Sequence, residues 1–131
     1  MRSFLFLAAG AALLAASAAQ AAPRLEPEAR LARALEGRVA GAPVDCISLN
    51  RVRSSQIIDE TAILYEIGDT IYVNRPRAGS RSLDRWDILV TRTFNTRLCS
   101  IDAVRLYDSA SRFQTGTVFL GEFVPYRRVR N

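Results

Sequence analysis

Histidine and lysine are both missing from this chain of 131 residues, which has only two cysteines, one methionine and one tryptophan. Each shortage closes off a chemistry. Without histidine there is no imidazole to activate a serine or cysteine nucleophile and none to ligate a metal. The cysteines stand more than fifty residues apart, which rules out both a C-x-x-C redox pair and the close ligand spacing of a zinc site. No glycine-rich loop is present to cradle phosphate, and no string of oxygen ligands to hold Ca²⁺. No run beyond the N-terminus is long enough to cross a bilayer. These absences lead to the expectation of a protein that is not an enzyme and needs no cofactor or metal.

The N-terminus reads as an export address. Arg2 supplies a positive start, "FLFLAAGAALLAASAA" an apolar run of 16 residues, and "AQA" a small-x-small cleavage site ending at Ala21. A retained anchor is the competing reading, but a spanning helix needs about 20 strongly apolar residues and this run is short and mostly alanine. Residues 1–21 are therefore expected to be removed as a signal peptide, leaving a periplasmic or secreted chain that does not span the membrane. Once Arg2 is gone, 17 arginines face 13 acidic residues, a formal charge of +4. An arginine-only basic set suits carboxylate or phosphate recognition, and it equally suits a GC-rich coding bias.

Past the leader, residues 22–43 read as a short helix and a linker. Pro27 fits a first helical turn, Glu26 and Glu28 fit the positive end, Leu31 and Leu35 share a face, and Gly37 closes the helix. The helix is expected to dock on the domain or to remain a loose arm. "VAGAPV" then reads as linker, with the β domain over residues 44–126 and a basic tail over residues 127–131. "VDCISL", "RVRSSQII", "ILVTRTF", "DAVRLYD" and "GTVFLGEFVPY" read as strands. "TAILYEIGDTIYVN" reads as a hairpin whose Gly68-Asp69 pair suits a type II′ turn. In its second half Ile71 and Val73 should face the core, with Thr70, Tyr72 and Asn74 on a wetter side. The fold class expected is mainly β: a small antiparallel barrel or sandwich with a short N-terminal helix and one disulfide.

That disulfide is the reading of Cys46 and Cys99. An exported chain meets an oxidising compartment, where an even cysteine count signals a bridge. A reactive thiol would need a neighbouring base or cation, whereas Asp45 beside Cys46 disfavours the thiolate. Carboxylates that could work in pairs are Asp59 with Glu60, Asp84 with Asp87, and Asp102; Asp59 and Asp102 read first as turn residues.

Arginines gather at Arg75, Arg77, Arg81 and Arg85 and again at Arg127, Arg128 and Arg130, with Tyr72, Trp86 and Tyr126 close by in sequence. Arg75, Arg77 and Trp86 are the candidate binding residues. The alternative for the arginines is solvated loop and tail, and for Trp86 a partial core plug. "YVNR" ends a strand where Asn74 can satisfy loose backbone groups. In "LGEFVPY" Gly121 suggests a bulge or close approach and Pro125 a strand end or edge.

"CISL", "IIDETAILYE", "YVNR", "LCSID" and "LGEFVPY", in this order, resemble an uncharacterised family of small exported bacterial proteins, a domain of unknown function, over about residues 37–126. The resemblance implies a β-rich periplasmic or secreted domain with no catalytic residues to carry over. It also implies a second cysteine pair near Ser80 and Val118 that this chain lacks, leaving Cys46 and Cys99 as partners of the remaining bridge and the 75–87 loop less firmly tied. The functional expectation is a non-enzymatic module that binds an anionic envelope component or a protein partner, with no specific nucleic acid. The alternative is an inhibitor of an exported enzyme such as a cell-wall hydrolase, with residues 75–87 as the inserted loop.

Overall fold

The "TAILYEIGDTIYVN" stretch forms the centre of the molecule. In the computed structural model, which describes residues 25–130, β4 (Ala62–Ile67) and β5 (Thr70–Asn74) pair antiparallel around Gly68-Asp69. Gly68 has φ 55° while Asp69 is not in the positive region. That combination is the type II′ geometry and matches the strand twist. β3 (Ser54–Ile58) adds to one side of this hairpin, and β10 (Phe123–Arg128) and β1 (Arg38–Ala40) add to the other. A second sheet has the order β6 (Asp87–Thr91), β8 (Ala103–Asp108), β9 (Gln114–Phe119), and a ribbon pairs β2 (Cys46–Ser48) with β7 (Arg97–Cys99). All pairings are antiparallel. The described residues are mainly β, as expected, with three sheets and one short α-helix.

Period-two alternation sorts the side chains into two cores. Ile57, Ile63, Tyr65 and Phe123 of the large sheet meet Val104, Leu106 and Val118 of the small one, with Ile47 and Leu98 of the ribbon closing the same cluster. Tyr65 and Phe123 touch edge to face, centroids 5.9 Å apart. The opposite face of the large sheet is covered too. There α1 (Pro27–Ala34) buries Leu31 to 3% exposure against Ile58, Ala62, Leu64 and Val73. The expected wetter side of β5 is therefore absent: Tyr72 packs on the main core, Asn74 is fully buried, and Ile71 and Val73 lie under the helix. Both faces of β4 and β5 are covered away from the turn, where Glu66 and Thr70 stay partly open, because the helix docks rather than standing off as an arm.

Asn74 answers the backbone question raised by its motif. Its Nδ2 donates to the Gly121 carbonyl at 2.7 Å and its Oδ1 accepts from the Gly121 N–H at 3.0 Å. Only glycine fits there, since a Cβ on Gly121 would stand 2.5 Å from the Arg75 carbonyl oxygen. Pro125 sits inside β10, an interior strand, rather than at an edge. Its carbonyl accepts from Gly41 at 2.7 Å, just past the end of β1, so the ring nitrogen faces a place where no ladder donor is required.

Three stretches differ from the sequence reading. Residues 38–40, within the expected linker, are an edge strand whose register runs from Arg38 opposite Arg128 to Ala40 opposite Tyr126. The same pairing draws Arg127 and Arg128 out of the expected tail and into β10. Cys99 ends a strand of its own, β7, directly opposite Cys46. Ser100 donates to the Asp45 carbonyl and Leu49 to that of Thr96, so Cys46 and Cys99 form the closer, non-hydrogen-bonded kind of pair. Their Cα atoms are 4.0 Å apart and the sulfurs are bonded. Among the described residues no helix is long and apolar enough to cross a membrane; the expected leader, residues 1–21, lies outside them.

The bridge closes a loop across 53 positions. Replacing both cysteines by alanine is expected to cost about 4 kcal/mol on the chain-entropy model, read by urea denaturation. Thiol titration of the unreduced folded protein should find no free sulfhydryl. Asn74→Leu should cost about 2–3 kcal/mol by orphaning the buried Gly121 N–H and carbonyl; an unchanged urea midpoint would contradict that role.

Candidate functional site

The turn between β3 and β4 carries Asp59, and this carboxylate gathers three elements. It accepts the backbone N–H of Arg85 at 2.7 Å and Nε of the same arginine at 2.8 Å, with Nη2 also in contact; Arg30 of α1 approaches at 3.4 Å. Glu60 takes up φ 54° in the turn and donates its N–H to the Leu83 carbonyl at 2.9 Å. The turn reading of Asp59 holds, with an ion-pair role added. Burial alone would raise the Asp59 pKa, but the side-chain and main-chain hydrogen bonds from Arg85, with the charges of Arg85 and Arg30, outweigh it and hold the group below the usual carboxylate range.

Immediately beyond, the chain swings outward at Trp86. Leu83 fills the core at 2% exposure. Asp84 then accepts the Trp86 N–H on its side chain at 2.8 Å and the Asp87 N–H on its carbonyl at 3.0 Å. Asp87 in turn accepts the Thr115 hydroxyl at 2.7 Å. With Arg85 fixed on one side and Asp87 on the other, the indole projects into solvent, 70% exposed. The core-plug reading of Trp86 fails because Leu83, three residues earlier, occupies that space.

Trp86 stands between two clefts. The first, of about 450 Å³, runs between β3 and β6 and is walled by Arg30, Ser55, Ile57, Arg85, Asp87 and Ile88. The second, of about 530 Å³, is acidic, with Glu60, Asp84, Asp87 and Asp108 around Arg81. Neither cleft is lined by Arg75 or Arg77, so the three candidate binding residues do not form one site. Arg75 is held by Glu28 of α1 through two hydrogen bonds of 2.8 and 3.0 Å. Its side-chain hydrogen bond above all, helped by its charge, depresses the Glu28 pKa against the opposing effect of burial. Arg77 is exposed, and its N–H donates to the Phe119 carbonyl at 2.9 Å. The residues missed by the sequence reading are Arg30 and the β3 edge. Arg30 sits on the helix, where only its i−1 relation to Leu31 hinted that it would lie beside the docked face.

Asp45, Cys46 and Cys99 are the one group of three potential metal ligands that converges among the described residues. The disulfide consumes both sulfurs, and a bridged cystine is no thiolate donor. The 75–87 loop is tied without any second bridge. Ala78 pairs with Phe119, and Gly79 lies so close to β9 that a Cβ would collide with the Thr117 carbonyl oxygen. Asp102 is a turn residue, accepting the Cys99 N–H at 2.7 Å. No family model, curated protein or solved structure matches the chain.

Because the folded pKa of Asp59 is depressed, its stabilising effect is present above the unfolded carboxylate pKa of about 3.9 and is lost as pH falls through the lower folded value. Asp59→Asn should lower stability by about 1–2 kcal/mol at pH 7 and flatten the decline between pH 5 and 2. Denaturant midpoints of both proteins across that window check this; parallel slopes would refute it.

Proposed function

We propose that the protein is a non-enzymatic binding module of the bacterial periplasm or exterior, which takes an anionic component of the envelope against Trp86 and the arginines beside it. The observation that carries this reading is the posture of Trp86. A large aromatic residue held 70% exposed by fixed neighbours gives up little conformational entropy when it is covered. Arg30 and Arg85 line the cleft at its foot, and an arginine fork suits carboxylate or phosphate. The disulfide suits an oxidising compartment. Asp59, the carboxylate most tightly engaged, is kept ionised by its arginines, which makes it a poor proton donor.

The inhibitor reading has less support. A loop that inserts into an enzyme cleft should stand off the body, whereas residues 77–79 lie along β9 and Leu83 is buried.

Trp86 is the sole tryptophan, so its emission reports on this site alone. Titration with poly-glutamate and with vesicles containing phosphatidylglycerol should shift that emission, and the apparent affinity should fall as salt shortens the reach of charge from about 30 Å at 0.01 M to about 8 Å at 0.15 M. Neutral phosphatidylcholine vesicles should give no shift. Trp86→Ala should abolish binding, measured calorimetrically, while changing stability by no more than about 0.5 kcal/mol. No response to either anionic probe at low salt would overturn the proposal.

A further inference from the structure

We infer that β6 is a receiving edge, to which an extended acidic segment of a partner protein adds as a further strand beside Trp86. This rests on the reading of Trp86 as a binding platform and names the ligand class. The outer side of β9 is taken, since Phe119 exchanges hydrogen bonds with Arg77 and Ala78 at 2.9 and 3.0 Å. On the large sheet, β1 is an edge of only three residues. β2 and β7 of the ribbon are equally short. Among the described residues the longer edges left open are β3 and β6, and both wall the same cleft.

Hydrogen-bond alternation shows which groups are free. In β8, Asp108 donates to Phe113 and Asp102 accepts from Leu120, so even-numbered residues turn their backbones toward β9. Odd-numbered ones turn toward β6: Tyr107 opposite Ile88 and Arg105 opposite Val90. The N–H and carbonyl groups of Leu89 and Thr91 therefore point away from β8, into the open edge. The same count from the Ile67–Thr70 pair at the β4–β5 turn leaves Ser55 and Ile57 facing outward from β3.

The sequence of β6, Asp-Ile-Leu-Val-Thr, contains no proline and one charge, and the sheet's bulge lies in the β8–β9 pairing instead. Apart from Asp87 at its first position, the devices that usually blunt an exposed edge are thus absent from it. Ile88, which lines the cleft with Trp86, and Val90 are each 37% exposed on the outer face and would pack against alternate side chains of an added strand. Charge selects the partner. Arg30 and Arg85 line the inner cleft, and Arg92 and Arg105 line an outer one of about 510 Å³ that contains no carboxylate. The acidic groups beside these four cations are Asp59 and Asp87. A second copy pairing edge to edge would set this arginine-rich edge against its own like, four cations facing four with only Asp59 and Asp87 on each side to offset them, so an alternating apolar and acidic segment of a different protein fits better than self-association.

The test uses bridged residues 22–131 and a capped decapeptide of alternating valine and glutamate, beside the same peptide N-methylated on one hydrogen-bonding edge. Hydrogen exchange followed by NMR should slow at Leu89 and Thr91 by roughly tenfold or more on peptide binding, and N-methylation should abolish the effect. Thr91→Pro removes an outward donor without breaking a bond to β8, so it should weaken the peptide while leaving the urea midpoint unchanged. A Trp86 emission shift without amide protection would overturn strand addition and leave anion binding standing. No shift and no protection would overturn both. Protection of Leu89 and Thr91 that grows with protein concentration in the absence of peptide would make a second copy the occupant and refute the partner.

Discussion

One carboxylate sets the geometry on which the candidate site depends. Asp59 holds the β3–β4 turn, the docked helix through Arg30, and the segment entering β6 through Arg85. These three belong to parts of the chain that share no sheet ladder, since β3 and β6 edge different sheets. A partly exposed ion pair is usually worth little, but here the acceptor is met by main-chain and side-chain donors of one arginine and approached by a second. Its effect is to fix where the two sheets part. On one side of that pin lies the core, and on the other the cleft between two unpaired strand edges.

Features governed by local chemistry were legible in the residues alone. The Gly68-Asp69 turn and the pairing of Cys46 with Cys99 each follow from a residue type with few alternatives at its position. Asn74 was marked as a group that satisfies loose backbone, though not with Gly121 as its partner, and the docking of α1 through Leu31 was open against a loose arm. What could not be read depends on partners remote in sequence. β1 is three residues among alanine, glycine and proline, and it is a strand only because β10 lies beside it, with Arg38 opposite Arg128. β7 is equally short and owes its existence to β2.

The candidate site was half visible for the same reason. Trp86 is singular in the sequence and was marked as a candidate, but its exposure is decided by Leu83 taking the core position and by Asp84 turning the chain. Arg75 is 47 positions from Glu28 and looked free; the helix that carries its partner docks beside it. Arginine clusters in sequence thus separated in space, while Arg30 and Arg85, far apart in sequence, came together on Asp59.

The position of the cystine has a mechanical consequence. Residues 47–98, which include both cleft walls and Trp86, lie inside the ring that Cys46 and Cys99 close. A pull applied between the two ends of the chain enters at Cys46, crosses the sulfur–sulfur bond and leaves at Cys99. Tension can strip β1 and β10 from the large sheet, yet the ring cannot be drawn out beyond the span of its own bridge. A module tethered at both ends would therefore keep β3, β6 and Trp86 out of the line of force, while Arg30 on α1 would lie within it.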